Sequence, residues 1–217
     1  ALLTELADFV ASVRSHAAAV WTRDLARLET FVHLFEVLAA CCFGKNHYTE
    51  TQARSILSQE DILALLEAAQ LSARWDLAHA VQSFFHVIYI DVQVRSETFG
   101  KSWAAWELLR LNTKVIQLAE NPTVAMDEAE EEVIFHHVHS SVTPCFEELF
   151  THYIQPSDLE LNEQRRRQCV EILKCMYKLH TVHWHGRSRE GLVLLNEGGD
   201  ENLVALQEGR SVHIVDR

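Results

Sequence analysis

The sequence predicts an all-α fold, either an armadillo/HEAT-like helical solenoid or an irregular helical bundle of about seven helices. Three observations carry that expectation. Helix breakers are scarce, with 7 Gly and 3 Pro in 217 residues of which 48 % are apolar. Apolar residues recur at three- and four-residue steps over long stretches. Capping signals mark where several of those stretches begin.

The first helix is read from Leu3 to Val20, with moderate patterning. The second, Arg23 to Cys42, places Leu28, Val32, Phe35, Leu38 and Cys42 on one stripe and stops at Gly44, a common left-handed cap. The third has the clearest start. Ser58 is the N-cap, Asp61 holds the reciprocal capping-box position, and Leu57 and Ile62 flank the cap as a hydrophobic staple. Acids at Glu60 and Asp61 suit the positive end of the helix dipole. That helix ends near Gln70. The fourth, Ala73 to Ile90, carries Leu77, Val81, Phe84 and Ile88 on one face. The fifth runs from Thr98 to Leu118 with Trp103 and Trp106 expected in the core, and stops before Asn121–Pro122. The sixth begins in the acidic run Asp127 to Glu132 and continues to Tyr153 along Ile134, Val138, Val142, Phe146, Leu149 and Tyr153. Pro144 lies inside it and predicts a kink or break. The seventh starts at Ser157, with Glu160 three residues on, and turns Leu161, Cys169, Ile172, Met176 and Leu179 inward.

Residues 1–184 therefore read as one helical domain. Residues 185–217, punctuated by glycines, read as a linker or poorly ordered tail, with weak strand-like alternation at Ser211–Val215. The chain begins at Ala1 rather than Met, which reads as a segment of a longer protein.

Composition excludes several functions. A formal net charge of −12 argues against a nucleic-acid or anionic-membrane surface. The run Arg165–Arg167 reads as a solvated helix face. No apolar run approaches the roughly 20 residues needed to span a bilayer. The five cysteines (Cys41, Cys42, Cys145, Cys169, Cys175) are odd in number and form no CxxC pair, which reads as thiols in a reducing compartment.

No nucleophile elbow, P-loop, dinucleotide fingerprint or HExxH motif occurs. Glu147 and Glu148 are adjacent and point apart. No catalytic residue and no cofactor is expected, so the chain reads as a non-enzyme. Weak metal candidates are His136 with His139 and His180 with His183, each pair at i, i+3. Two ligands fall short of the three or four that zinc needs.

From Phe31 the chain reads FVHLFEVLAACCFGKNHYTETQARSILSQEDILALL. Gly44-Lys45-Asn46 followed by Tyr48-Thr49-Glu50 reads as an inter-helix corner. Gly44 ends a helix, Lys45 and Asn46 turn the chain, Tyr48 offers a ring to pack, and Thr49 or Glu50 caps a short following helix. With Leu34, Glu36, Leu38, Ala39, Cys41, Leu57 and Asp61-Ile62, and then Phe84, Tyr89, Asp91, Val94 and Trp103 in order, this stretch resembles the cytosolic helical region of inositol trisphosphate receptors, the intracellular calcium-release channels. The resemblance covers roughly Leu28 to Trp184. It is looser from Trp103 onward and over Asn121–Glu132, and residues after 184 resemble nothing we can place.

The resemblance implies a role by position. In that family, armadillo-like solenoids lie between a ligand-binding region and a membrane pore and transmit conformational change. This chain has neither the family's basic ligand pocket nor a membrane span. The implied function is a non-catalytic coupling segment on the cytosolic face of an endoplasmic reticulum-type membrane. Its partners would be neighbouring domains or subunits of a tetrameric channel, with no nucleic acid and no direct membrane contact. The alternative is a soluble armadillo/HEAT-type adaptor whose groove takes a protein partner.

Overall fold

The structure, a computed structural model, describes residues 5, 6, 8–13, 25–120, 128–155, 159, 160 and 162–177. It is all-α, with no strand among the described residues. In chain order the helices are α1 (8–13), α2 (Leu25–Cys42), α3 (His47–Arg54), α4 (Gln59–Leu71), α5 (Trp75–Phe85), α6 (Trp103–Glu120), α7 (Glu128–His137), α8 (Thr143–His152) and α9 (163–177). Two five-residue π-turns, His86–Ile90 and Val138–Val142, prolong α5 and join α7 to α8. A short 3-10 turn, Phe99–Lys101, precedes α6.

The apolar stripes place these helices around α5. Leu77, Val81, Phe84 and Ile88 are fully buried, and so are Ala78 and Phe85 on the flanks. Burial almost all round makes α5 the central helix. It packs against α2, α4 and α7, while α4 also meets α6. The α2 stripe meets it through Phe35, whose ring lies 5.5 Å from that of Phe84. From α1, Phe9 stacks at 4.4 Å on Phe31. A contiguous core runs from Leu6 to Cys175. At the surface, Arg110 of α6 hydrogen-bonds Glu67 of α4 at 2.8 Å and also holds Glu107. The guanidinium keeps the Glu67 carboxyl below its ordinary pKa.

The start of α4 follows its sequence signals. Ser58 Oγ accepts from the Asp61 N–H at 3.1 Å and donates to Asp61 Oδ2 at 2.6 Å. Leu57 and Ile62 are both buried. The other end departs from expectation. The next helix begins at Trp75 rather than Ala73, because Ala73 has φ +53° and closes α4. Arg74 N–H bonds to the Ala69 carbonyl at 2.9 Å and Ala73 N–H to Gln70 at 3.2 Å. That pair of bonds is a Schellman closure with alanine in the position glycine favours. Ala73→Gly is therefore expected to stabilise the fold by about 1 kcal/mol, since it relieves left-handed strain at an exposed site. A denaturant midpoint that stays or falls would contradict this.

The helix expected to kink or break at Pro144 does not break there and runs on to His152. Backbone angles are right-handed helical on both sides of the π-turn that precedes the proline, at His137 (φ −60°, ψ −43°) and Thr143 (φ −61°, ψ −48°). The turn just before the proline widens instead. Thr143 donates both its N–H and its hydroxyl, the latter at 3.0 Å, to the Val138 carbonyl five residues back. A π-turn suits a position whose next residue lacks an N–H. The expected line Ile134, Val138, Val142, Phe146, Leu149 and Tyr153 is buried throughout.

Other expectations need correction. Trp103 is exposed and only Trp106 is buried, its indole N–H donating to the Gly100 carbonyl at 2.8 Å. Arg165 does not simply face solvent. It lies 4.7 Å over the Trp106 ring and donates to the Lys101 carbonyl at 3.0 Å. Arg166 and Arg167 do stay on the outer face, paired with Glu163. On α9, Cys169 and Ile172 are buried as expected. Most of the Leu3–Val20 helix, Ser157, Leu161, Leu179 and the 185–217 tail lie outside the described residues.

Candidate functional site

The residues that carry the resemblance meet at the corner between α2 and α3. After α2 the chain passes through Gly44 at φ +97° and Lys45 at φ +60°. Two successive left-handed residues reverse the chain within a few positions. At Gly44 an added Cβ would meet nothing within 4 Å, so only backbone conformation favours glycine there. Gly44→Ala is expected to cost about 1 kcal/mol without a clash, measurable as a lower urea midpoint.

Asn46 then caps α3. Its side-chain oxygen accepts from Tyr48 N–H at 3.0 Å and Thr49 N–H at 3.4 Å. The Thr49 hydroxyl returns a bond to the Asn46 carbonyl at 2.9 Å. The cap is thus Asn46, not Thr49 or Glu50, as its short side chain and extended backbone (φ −94°, ψ 103°) dictate. Tyr48 does not pack its ring: it is 72 % exposed.

Glu50, expected as an alternative to Thr49 in capping α3, is fully buried. Its Oε1 accepts from the Gln93 N–H at 3.1 Å, and its Oε2 lies 3.5 Å from Arg54 Nη2. Arg54 in turn donates through Nε to the Ile88 carbonyl at 2.5 Å and stands 5.6 Å over the Tyr89 ring. The Gln93 side-chain oxygen accepts from His47 N–H at 3.1 Å. Lys45 Nζ approaches Asp91 Oδ1 to 2.5 Å, an ion pair outside hydrogen-bond geometry. The Cys42 thiol, closing α2 beneath this network, is pushed up in pKa by burial.

These contacts give the corner one mechanical property. The π-turn after α5 ends with Asp91 N–H bonded to the His86 carbonyl at 2.8 Å. The carbonyl of Ile88, the ring of Tyr89, the carboxylate of Asp91 and both ends of Gln93 are then all engaged by α3 and its cap. The corner fastens the α2–α3 turn to the end of the central helix. Gly44, Lys45, Asn46, Thr49 and Glu50 come together in it, and Tyr48 projects from it. Sequence reasoning missed Arg54 and Gln93. The i, i+4 spacing of Glu50 and Arg54 is the signal that could have found Arg54.

An apolar groove of ≈ 410 Å³ lies beside the corner, lined by the exposed Phe43 with Ser83, His86, Ser140 and Ser141. His86 is held below its ordinary pKa by burial, against the opposing pull of Asp91 and Glu148.

The histidine pairs read from spacing take different partners. His136 lies 5.4 Å from His79 of α5, and His139 lies 4.1 Å from Phe135. His180 and His183 lie outside the described residues. Among the described residues no three His, Cys, Asp or Glu side chains are placed to hold a metal ion. No helix among them is long and apolar enough to cross a membrane. No protein-family model matches the chain.

Proposed function

We propose that this chain is a non-catalytic coupling segment of an inositol trisphosphate receptor-like calcium-release channel. It would stand on the cytosolic side of an endoplasmic reticulum-type membrane and relay ligand-induced movement toward the pore, in contact with neighbouring domains or subunits of a tetramer. One observation carries the reading. Residues that support the resemblance from distant parts of the sequence, Lys45 and Glu50 on one side and Tyr89 and Asp91 on the other, form one interlocked corner. A displacement of α3 is then passed to the end of α5 rather than absorbed in a slack loop.

The test begins with the full-length coding sequence, which should encode several membrane-spanning helices downstream. In the intact channel, Lys45→Ala and Asp91→Asn should each shift the ligand concentration for half-maximal calcium release severalfold. Unchanged release in both variants, or a coding sequence without membrane spans, would sink the reading.

A second reading, a soluble armadillo/HEAT-type adaptor, draws on α9. Val170, Leu173 and Tyr177 form an exposed apolar stripe at i, i+3, i+7. On a chain of net charge −12, that stripe favours a basic amphipathic partner helix.

A further inference from the structure

The seam where α5 meets α7 and the second π-turn is unlike the rest of the core. Along α5 it presents Trp75, His79, Gln82 and Ser83; facing them are His136, His137, Ser140, Ser141 and Cys145. His79 Nδ1 is 2.7 Å from Ser141 Oγ and 3.3 Å from Ser140 Oγ. The His79 ring lies 5.4 Å from His136 and 6.2 Å from His137, and Trp75 lies 5.8 Å from His137. His137 is 1 % exposed, and neither of its ring nitrogens has a hydrogen-bond partner. Gln82 Oε1 is orphaned on the same seam. Native interiors hold few such atoms, and each calls for a physical explanation.

We propose that this seam is a proton-operated latch: acidification charges His79 on the seam, protonates His137 once it is exposed, and releases α7 and the π-turn from α5. The inference stands apart from the channel reading and holds for either function.

Among the described residues, the surrounding carboxylates are engaged elsewhere or shared. From α2, Glu36 faces His79 but is also bonded to His33 at 2.9 Å. From α4, Glu67 is turned to Arg110 and Lys114 of α6. Asp76 of α5 is held by Arg74 at 2.6 Å. From α8, Glu148 pairs with Arg95 and His152 and acts on His86 rather than on the cluster. Among the described residues no carboxylate acts on His137, which burial first, and then His79 and His136, press down to about 3. His79 is lowered as well, chiefly by burial.

The sign follows from these directions. The closed seam binds fewer protons than the opened one below the ordinary histidine value of about 6.5. Closure is fully favoured above that pH and is lost as pH falls from about 6.5 towards 3.

Hydrogen exchange of the wild-type chain at pH 7.0 and 5.5, corrected for intrinsic rate, tests this. One histidine with so low a folded value raises the opening constant roughly 8-fold across that interval. Residues 128–152 should lose at least that much protection while α4 and α6 keep theirs. His137→Leu should remove about 8-fold of the effect, and H79Q/H137L should leave only what His86, buried beside Ser140 and Ser141, contributes. A wild-type change below about 2-fold, an equal loss across α4 and α6, or an effect untouched by His137→Leu would each overturn the latch.

Discussion

Gly100→Ala is expected to destabilise the fold by about 3 kcal/mol or more, near the top of the range for overpacking. A Cβ on Gly100 would lie 2.0 Å from the carbonyl oxygen of Tyr153 and 2.7 Å from its carbonyl carbon. Both are backbone atoms, so no side-chain rotation relieves the clash. Nor can either segment retreat easily. The Gly100 carbonyl accepts the Trp106 indole N–H, the Phe99 ring stands edge-on to Tyr153 at 5.3 Å, and the Tyr153 hydroxyl donates to the Ile90 carbonyl at 2.6 Å. The 3-10 turn, the end of α8 and the end of the α5 π-turn are fixed at one point. Chemical denaturation with fluorescence of the buried Trp106 checks the prediction. A loss under about 1 kcal/mol would mean that this junction yields, contrary to the contacts around it.

Glu50→Ala should cost about 2–4 kcal/mol, because it leaves the Gln93 N–H without its acceptor and the half-buried Arg54 without its carboxylate at a fully buried position. Glu50→Gln keeps one acceptor and nearly the same shape, and should lose about half as much. The comparison separates the hydrogen bond from the charge. Equal losses would assign the whole effect to the charge, and a neutral Glu50→Ala would show that the corner is wet in solution. The same contacts predict that Glu50→Ala releases the segment around Gln93 before the rest unfolds, seen as faster hydrogen exchange there.

How far the sequence disclosed this molecule depended on whether a residue's role was local. The α4 start was legible because Ser58, Asp61, Leu57 and Ile62 act within one turn of each other. The line from Ile134 to Tyr153 was legible because apolar period alone decides which face is buried. Glu50 was misjudged for the opposite reason. Its burial is set by Gln93, 43 positions away, and nothing near Glu50 announces that partner. Trp103 and Trp106 looked alike as large aromatics; the Gly100 carbonyl and Arg165, both beyond helical reach in the pattern, chose Trp106 for the interior. His136 drew attention through His139, its neighbour on the helix, whereas its spatial partner is His79.

The π-turn at Val138–Val142 has a consequence for the phase of the helix that contains it. The buried positions Ile134, Val138, Val142 and Phe146 are spaced by four residues each time. An α-helix turns about 100° per residue, so each four-residue step overshoots a full turn by about 40°. Three such steps in a regular helix would swing Phe146 to the flank. A π-turn winds more slowly, and it takes up that excess midway, so Phe146 and Leu149 return to the bearing of Ile134. Rewinding residues 138–142 as regular α-helix, with none removed, would rotate everything beyond them as a unit. The five residues thus act as a gear between two halves of one rod. Slippage there would reset the heading of Phe146, Leu149 and Tyr153 together.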